Sequence, residues 1–211
     1  NKRIKENYEN HSLPPLSRLI KSMGKVSFPA AIETFLITLI GLLDTIMVSG
    51  VGTNALAGVT ISQQPVFMAL VVAMGLNAGI TAIVARRFGE KDQDGAKRIV
   101  RHAILMSIIA SVIMMVLFML IAEPFLIITG AKQETLPISV RYLRIVLLSL
   151  PFNYVRLTIC AAFRASGNTK VSLITNVSAN LVNLFLNYCL IMGNLGFPRL
   201  EADGAAIATS I

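Results

Sequence analysis

Asp44 stands inside an otherwise apolar stretch covering residues 26–49, and far down the chain Asn176, Asn180, Asn183 and Asn187 punctuate another such stretch. An ionised carboxylate at the centre of a bilayer helix costs about 2.5–3.5 kcal/mol even on the mildest insertion scale. A chain carries that cost where the acid faces a cavity or titrates. At about 100° per residue the four asparagines fall within an arc of about 60°, one polar stripe on an apolar helix. Ser172 continues the stripe at one end. Buried amides also join membrane helices to one another, so the stripe taken alone is open to a packing role.

These residues have to be held by membrane-spanning helices. Hydrophobic residues make up 55% of the chain and charged residues 14%, against about 25% charged in ordinary soluble domains. The apolar residues arrive in five blocks, at residues 26–49, 64–85, 99–122, 136–163 and 171–192, and a sixth opens near Ala202. Each complete block suits a tilted helix, since about 20 residues rising ~1.5 Å each cross the hydrocarbon. The expected fold class is therefore an all-α integral membrane lobe of six helices, five complete and a sixth begun. Residues 1–25 form a basic segment ahead of it, and residues 26–211 the transmembrane part. Opening on Asn1 and stopping at Ile211 inside an apolar run, the chain is expected to be a piece of a longer protein. A cleaved signal peptide is a poor reading of the start, because the first apolar block is too long.

Lysine and arginine set the orientation. The N-terminal segment carries six of them, and the connection after the second block carries Arg86, Arg87, Lys91, Lys97, Arg98 and Arg101. Arg164 and Lys170 follow the fourth block, whereas the connection after the first has none. Lys132 and Arg199, in the other outer connections, sit beside acids. The positive-inside rule then puts the N-terminus in the cytoplasm and predicts a multi-pass protein of the cell membrane. The formal net charge of +8 is accounted for by this loop asymmetry. No basic face with interleaved aromatics argues for a nucleic-acid partner. Cys160 and Cys189 lack metal-ligand or disulfide spacing and read as small hydrophobes. Pro29 and Pro151 fall inside the first and fourth blocks, where each is expected to kink its helix.

Depth brings the polar residues to one level. Asp44 lies about five residues below the outer end of the first span. Asn183 and Asn187 lie in the outer half of the fifth, and Thr209 falls near the same depth in the sixth. A carboxylate, two carboxamides and a hydroxyl from three helices would suit a hard cation such as Na⁺, or a protonatable carboxylate in a polar pocket. The reading requires the first, fifth and sixth spans to be neighbours. Glu33 precedes Asp44 by eleven residues, about three turns, so the two acids share a face about 16 Å apart. It is either a second proton site deeper in the pathway or the partner of Asn77 or Arg156, which lie at comparable inner depth.

At these residues the chain resembles the multidrug and toxic compound extrusion (MATE) transporters. The matching stretches are Leu43-Asp44-Thr45-Ile46-Met47-Val48-Ser49-Gly50 with Asn54-Ala55-Leu56-Ala57-Gly58, and Ala85-Arg86-Arg87-Phe88-Gly89-Glu90-Lys91-Asp92. Phe163-Arg164-Ala165-Ser166-Gly167-Asn168-Thr169-Lys170, residues 183–193 and Asp203-Gly204-Ala205-Ala206-Ile207-Ala208-Thr209 also fit. The resemblance implies half of a twelve-helix, inverted-V antiporter that expels small organic cations in exchange for Na⁺ or H⁺. Its partners would be the lipid bilayer and the C-terminal half of the same transporter, and it would need no cofactor beyond the coupling ion. Asp44, Asn183, Asn187 and Thr209 match the family's N-lobe cation site, with Asn176, Asn180, Asn77 and Glu33 as further pathway candidates. Some members carry an acid where Asn187 stands. The amide leaves one negative charge fewer, and leaves the choice of coupling ion open.

Three other readings compete. A lipid-linked oligosaccharide flippase of the same superfamily would favour intramembrane basic residues for its anionic head group, whereas the outer polar face here is acidic and amide-bearing. An intramembrane serine protease lacks a placed base, because His11 and His102 lie in the basic tail and at the start of the third span. A structural subunit without transport predicts that Asp44 can be neutralised without consequence. No Walker-type phosphate loop occurs, which agrees with secondary transport; the protein is expected not to be an enzyme.

Overall fold

The computed structural model describes residue 31, residues 34–36 and residues 38–211. Within it run α1 (Thr34–Ser49), α2 (Thr53–Gly89), α3 (Gln93–Leu120), α4 (Ala122–Ile128), α5 (Leu136–Ala165), α6 (Thr169–Met192), a 3₁₀ turn (Asn194–Gly196) and α7 (Glu201–Ser210). Four of them, α2, α3, α5 and α6, are long and apolar enough to cross a membrane. Large apolar side chains such as Phe67, Met74, Leu105, Ile113 and Phe152 are exposed. In water they would form sticky patches, whereas against lipid tails they are solvated by their own kind. Pro29, Glu33 and the basic segment 1–25 lie outside the described residues.

Two elements differ from the apolar blocks of the sequence. The second span opens at Thr53 rather than at residue 64, and its 37 residues make a helix about 55 Å long. Polar residues in 53–63 look like a loop, but Thr60 and Ser62 donate their hydroxyls to the carbonyls of Leu56 and Gly58 at 2.8 and 2.7 Å. Satisfied within the helix, they do not interrupt it. Between the third and fourth spans, α4 replaces an expected loop. Glu123 and Pro124 occupy its first turn, where a missing N–H costs nothing. Leu126 is fully buried, and Phe125 meets Phe118 of α3 edge to face at 5.8 Å. Helix α5 runs without a break through Pro151, and α2 through Pro65.

Helix α5 is the hub. It packs along α2 and α3, and α7 rests against both α5 and α6. One apolar core joins Ala69 and Ala73 of α2, Phe118 of α3, Leu126 of α4, and Leu143, Leu147 and Tyr154 of α5. A second joins Val48 of α1, Val59 of α2, Tyr142 and Val146 of α5, Ile191 of α6 and Ala206 of α7. Tyr154 donates its hydroxyl to the Ala69 carbonyl, so its polar tip is not stranded in that first core.

Small residues bring backbones together at two places. On α2 and α5, the Ser62 hydroxyl donates to the Ser139 carbonyl at 2.9 Å, and the Ser139 hydroxyl donates to the Gly58 carbonyl at 3.1 Å. Both serines are fully buried. The clasp closes because Gly58 has no Cβ: one built there would sit 3.2 Å from Ile138 Cγ2 and 3.3 Å from Ser139 Oγ. On α7, a Cβ at Gly204 would fall 2.7 Å from the Leu190 carbonyl oxygen of α6. These close approaches are the packing expected where no hydrophobic force draws helices together in lipid.

Candidate functional site

Where α1 nears its end, α6 and α7 pass close by, and the Asp44 side chain meets that of Asn187. Asn187 Nδ2 donates to Asp44 Oδ1 at 2.7 Å and lies 3.2 Å from Asn183 Oδ1, one turn earlier on α6. Asn187 is 2% exposed, and its own Oδ1 is buried with no hydrogen-bond partner among the described residues. The stripe of asparagines therefore faces inward at this level, and one amide links an acid to a second amide. With Asp44 ionised, that link is charge-assisted, the stronger kind of hydrogen bond.

Asp44 and Asn183 open onto a cavity of about 420 Å³ between α1, α5, α6 and α7. Thr209 lines it too, although its hydroxyl donates to the Ala205 carbonyl of its own helix at 2.8 Å. Asn180 and Asn176 continue the wall along α6. Asn176 accepts from the Arg156 guanidinium, which also donates to Asn153 Oδ1 at 3.0 Å. Ser172 lies further along α6, where it accepts from Arg164 at 2.7 Å.

Asn77 stands apart from this cavity. Its Oδ1 accepts from Thr158 Oγ1 at 3.1 Å, a bond joining α2 to α5. Glu33 lies outside the described residues, so its pairing with Asn77 or Arg156 is not part of this geometry.

Two residues join the site that spacing alone had not put there. Tyr142 of α5 is 4% exposed and packs in the core that joins Val48 of α1, Ile191 of α6 and Ala206 of α7 beside the site. A lone tyrosine between Arg141 and Arg144 near the start of an apolar span was the available signal. Asn153, two residues past Pro151, lines the cavity beside Arg156. Near the starts of α5 and α7 the bundle also holds an ion pair, Arg141 to Asp203 at 3.7 Å. Among the described residues no three His, Cys, Asp or Glu side chains cluster as a metal centre would require.

Spanning helices, lipid-facing apolar side chains and a polar cavity holding a linked acid define an α-helical integral membrane protein with an internal site. The chain belongs to the MatE family, whose model matches residues 29–189. Among curated proteins it is similar to the FAD transporter of Shewanella oneidensis, 29% identical over 195 residues, covering 92% of this chain and 42% of that one. It is likewise similar to the probable multidrug resistance protein NorM of Halalkalibacterium halodurans, 31% identical over 204 residues, covering 91% of this chain and 43% of that one. Among solved structures it matches an outward-facing multidrug resistance MATE family transporter of the MOP superfamily with a TM-score of 0.81. That match has 29% identity and covers 90% of this chain and 41% of the other. The chain thus spans about two-fifths of the length of the curated relatives it matches. Its fold matches one lobe of a MATE transporter, with α2, α3, α5 and α6 long enough to span and the shorter α1 and α7 packed against them.

Proposed function

We propose that the protein carrying this chain is a secondary antiporter that exports small organic cations in exchange for Na⁺ or H⁺, with Asp44 as its coupling carboxylate. The observation that carries the reading is the link from Asp44 through Asn187 to Asn183 at the wall of a cavity large enough for a small organic molecule. Family membership and the names of the similar proteins support the transport class. In this reading residues 1–25 are a cytoplasmic N-terminal segment, residues 26–211 form the N-terminal lobe, and a C-terminal half completes the pathway in the cell membrane.

A single negative charge serves two competing ligands. With Asp44 ionised, the cavity attracts a cationic substrate. A proton on Asp44 removes that attraction. A Na⁺ ion does the same, held by oxygens of Asp44, Asn183, Asn187 and Thr209, the hard donors such an ion takes. Asn187 Oδ1, unpartnered among the described residues, supports this donor set, because turning the carboxamide about its last bond exchanges Nδ2 for Oδ1 beside the carboxylate. Neutralising Asp44 also lowers the cost of moving α1 through a low-dielectric surrounding. Exchange then needs no nucleotide hydrolysis.

The test is export of a fluorescent organic cation from proteoliposomes of the complete protein, wild type against Asp44→Asn, under H⁺ and Na⁺ gradients applied separately. Loss of gradient-driven export in a variant that stays monodisperse supports the coupling role, and the productive gradient names the ion. Undiminished export by Asp44→Asn overturns it.

A further inference from the structure

Away from that cavity, α2 and α3 leave a groove of about 400 Å³ between them, toward their connecting turn. Leu76, Ile80 and Ile83 of α2 and Ile99 and Met106 of α3 make its walls apolar, and Arg98 and His102 stand at the end nearer the turn. His102 Nδ1 donates to the Arg98 carbonyl at 2.7 Å, which pins the ring one turn beyond the arginine. Gly79 lies along the groove, and a Cβ built there meets nothing within 4 Å. From Arg98 to Met106 the groove runs about 12 Å along α3. Spread over that length, its volume gives a cross-section of about 30 Å², against about 80 Å² for a helix about 10 Å across. A single hydrocarbon chain enters such a space, and a helix does not.

The end with Arg98 carries a surplus of positive charge. Residues 86–101 hold six basic side chains, Arg86, Arg87, Lys91, Lys97, Arg98 and Arg101, against the three acids Glu90, Asp92 and Asp94. Glu90 pairs with Arg86 and Arg87 at 2.9 and 3.2 Å, Asp92 with Arg87 at 3.4 Å, and Asp94 with Lys97 at 3.3 Å. All three acids are thus engaged by neighbours other than Arg98 and Arg101, two exposed arginines one turn apart on α3. They sit where the apolar run of α3 begins. That is the level of lipid head groups, where basic pockets between spanning helices hold anionic ones. The guanidinium fork also matches two oxygens of a phosphate.

We infer that the groove is a binding site for one anionic glycerophospholipid, its phosphate against Arg98 and His102 and one acyl chain laid along Gly79 between α2 and α3. Bulk lipid bathes every apolar face of the bundle. What sets this molecule apart is that a chain-wide groove and a cationic end are continuous. Held there, the lipid ties the two helices of the hairpin together. The groove shares no lining residue with the cavity at Asp44, so the site does not depend on what is exported or on the coupling ion.

The test is native mass spectrometry of the complete detergent-solubilised protein, titrated with dioleoyl phosphatidylglycerol or with dioleoyl phosphatidylcholine, which has the same chains. The wild type is expected to bind its first phosphatidylglycerol about fivefold more tightly, the contribution of one interfacial arginine. Arg98→Gln brings that ratio close to one, and Arg98→Lys keeps most of it. Arg86→Gln, at an exposed side chain paired with Glu90 outside the groove, leaves the ratio in place. Gly79→Leu weakens phosphatidylglycerol binding without lowering the melting temperature of the lipid-free protein, because the new side chain grows into open space. Equal binding of the two lipids by the wild type overturns the proposal, as does a ratio that survives Arg98→Gln. An equal loss from Arg86→Gln would reduce the preference to the general charge of the surface, and overturns it too. So does displacement of the bound lipid by millimolar glycerol 3-phosphate, since the head alone would then be the ligand. A Gly79→Leu protein that melts well below the wild type reports a protein segment seated in the groove, and overturns the lipid reading.

Discussion

Asn187 of α6 donates its side-chain amide to Asp44 of α1 at 2.7 Å, across 143 positions of chain. The bond is the closest tie between the only acid of the described α1 and the polar stripe of α6. A double-mutant cycle over Asp44→Leu and Asn187→Leu should return a coupling energy of about 1.5–3 kcal/mol, the range for a hydrogen bond to a charged group. Thermal unfolding of the purified single and double variants measures it, and strict additivity would mean that the contact contributes nothing to stability.

Gly204 and Gly79 make a matched pair of helix glycines with opposite surroundings. Gly204→Ala drives a Cβ to 2.7 Å from the Leu190 carbonyl oxygen, so α6 and α7 must part. A cost of about 1–3 kcal/mol is expected, typical of overpacking against backbone. At Gly79 nothing stands within 4 Å of the new methyl. Gly79→Ala is expected to be neutral, or to stabilise by up to about 1 kcal/mol through helix propensity. Melting temperatures of the two variants in one detergent should fall on opposite sides of, or on either side close to, the wild-type value.

Asp92 caps α3. Its Oδ1 accepts from the Gly95 N–H at 2.9 Å, while its ion pair with Arg87, at 3.4 Å on an exposed edge, adds little. Asp92→Ala should cost about 1 kcal/mol, and Asp92→Ser should recover most of it. Gly95→Ala ought to act similarly from the other side, because its Cβ would collide with the capping carboxylate and turn it out. Proteolytic sensitivity of the connection between α2 and α3 reads the loosened cap directly.

Thr158, 1% exposed, donates to Asn77 Oδ1 at 3.1 Å between α5 and α2. Thr158→Val keeps the shape and removes the donor. Hydrogen bonds between membrane helices average about 0.6 kcal/mol, so a small loss of stability with transport intact is expected. A collapse of transport instead would place Asn77 in the pathway, against its position outside the cavity.

The spans and the acid were legible because both are extremes of composition. Long apolar blocks announce helices in lipid, and a solitary carboxylate such as Asp44 has no ordinary reason to be there. Regular spacing likewise gave away the asparagine stripe. Harder to read were elements whose polarity is settled locally. Thr60 and Ser62 look like loop residues until their hydroxyls are seen bonding back along α2, and α4 hides behind a Glu-Pro pair that resembles a turn. Depth along an axis could bring Asp44, Asn183, Asn187 and Thr209 to one level. It could not reveal that Tyr142 would pack beside them, or that Arg156 would line their cavity. Those facts depend on which helix faces meet, and apolar faces in lipid are nearly interchangeable in sequence.

The mutual grip of Ser62 and Ser139 around Gly58 has a mechanical meaning. Serine side chains are too short to follow a moving partner, so a slide of α2 past α5 by a single residue, about 1.5 Å, would break both cross-helix bonds and leave each hydroxyl only the carbonyl of its own helix, Gly58 or Thr135. The seam behaves like a keyed shaft, seated in one notch and with no stable position between notches. Helix α6 is tied to α5 differently, by an arginine reaching to Asn176. A long side chain can swing through several ångströms without letting go, so that joint can bend while the keyed one holds still.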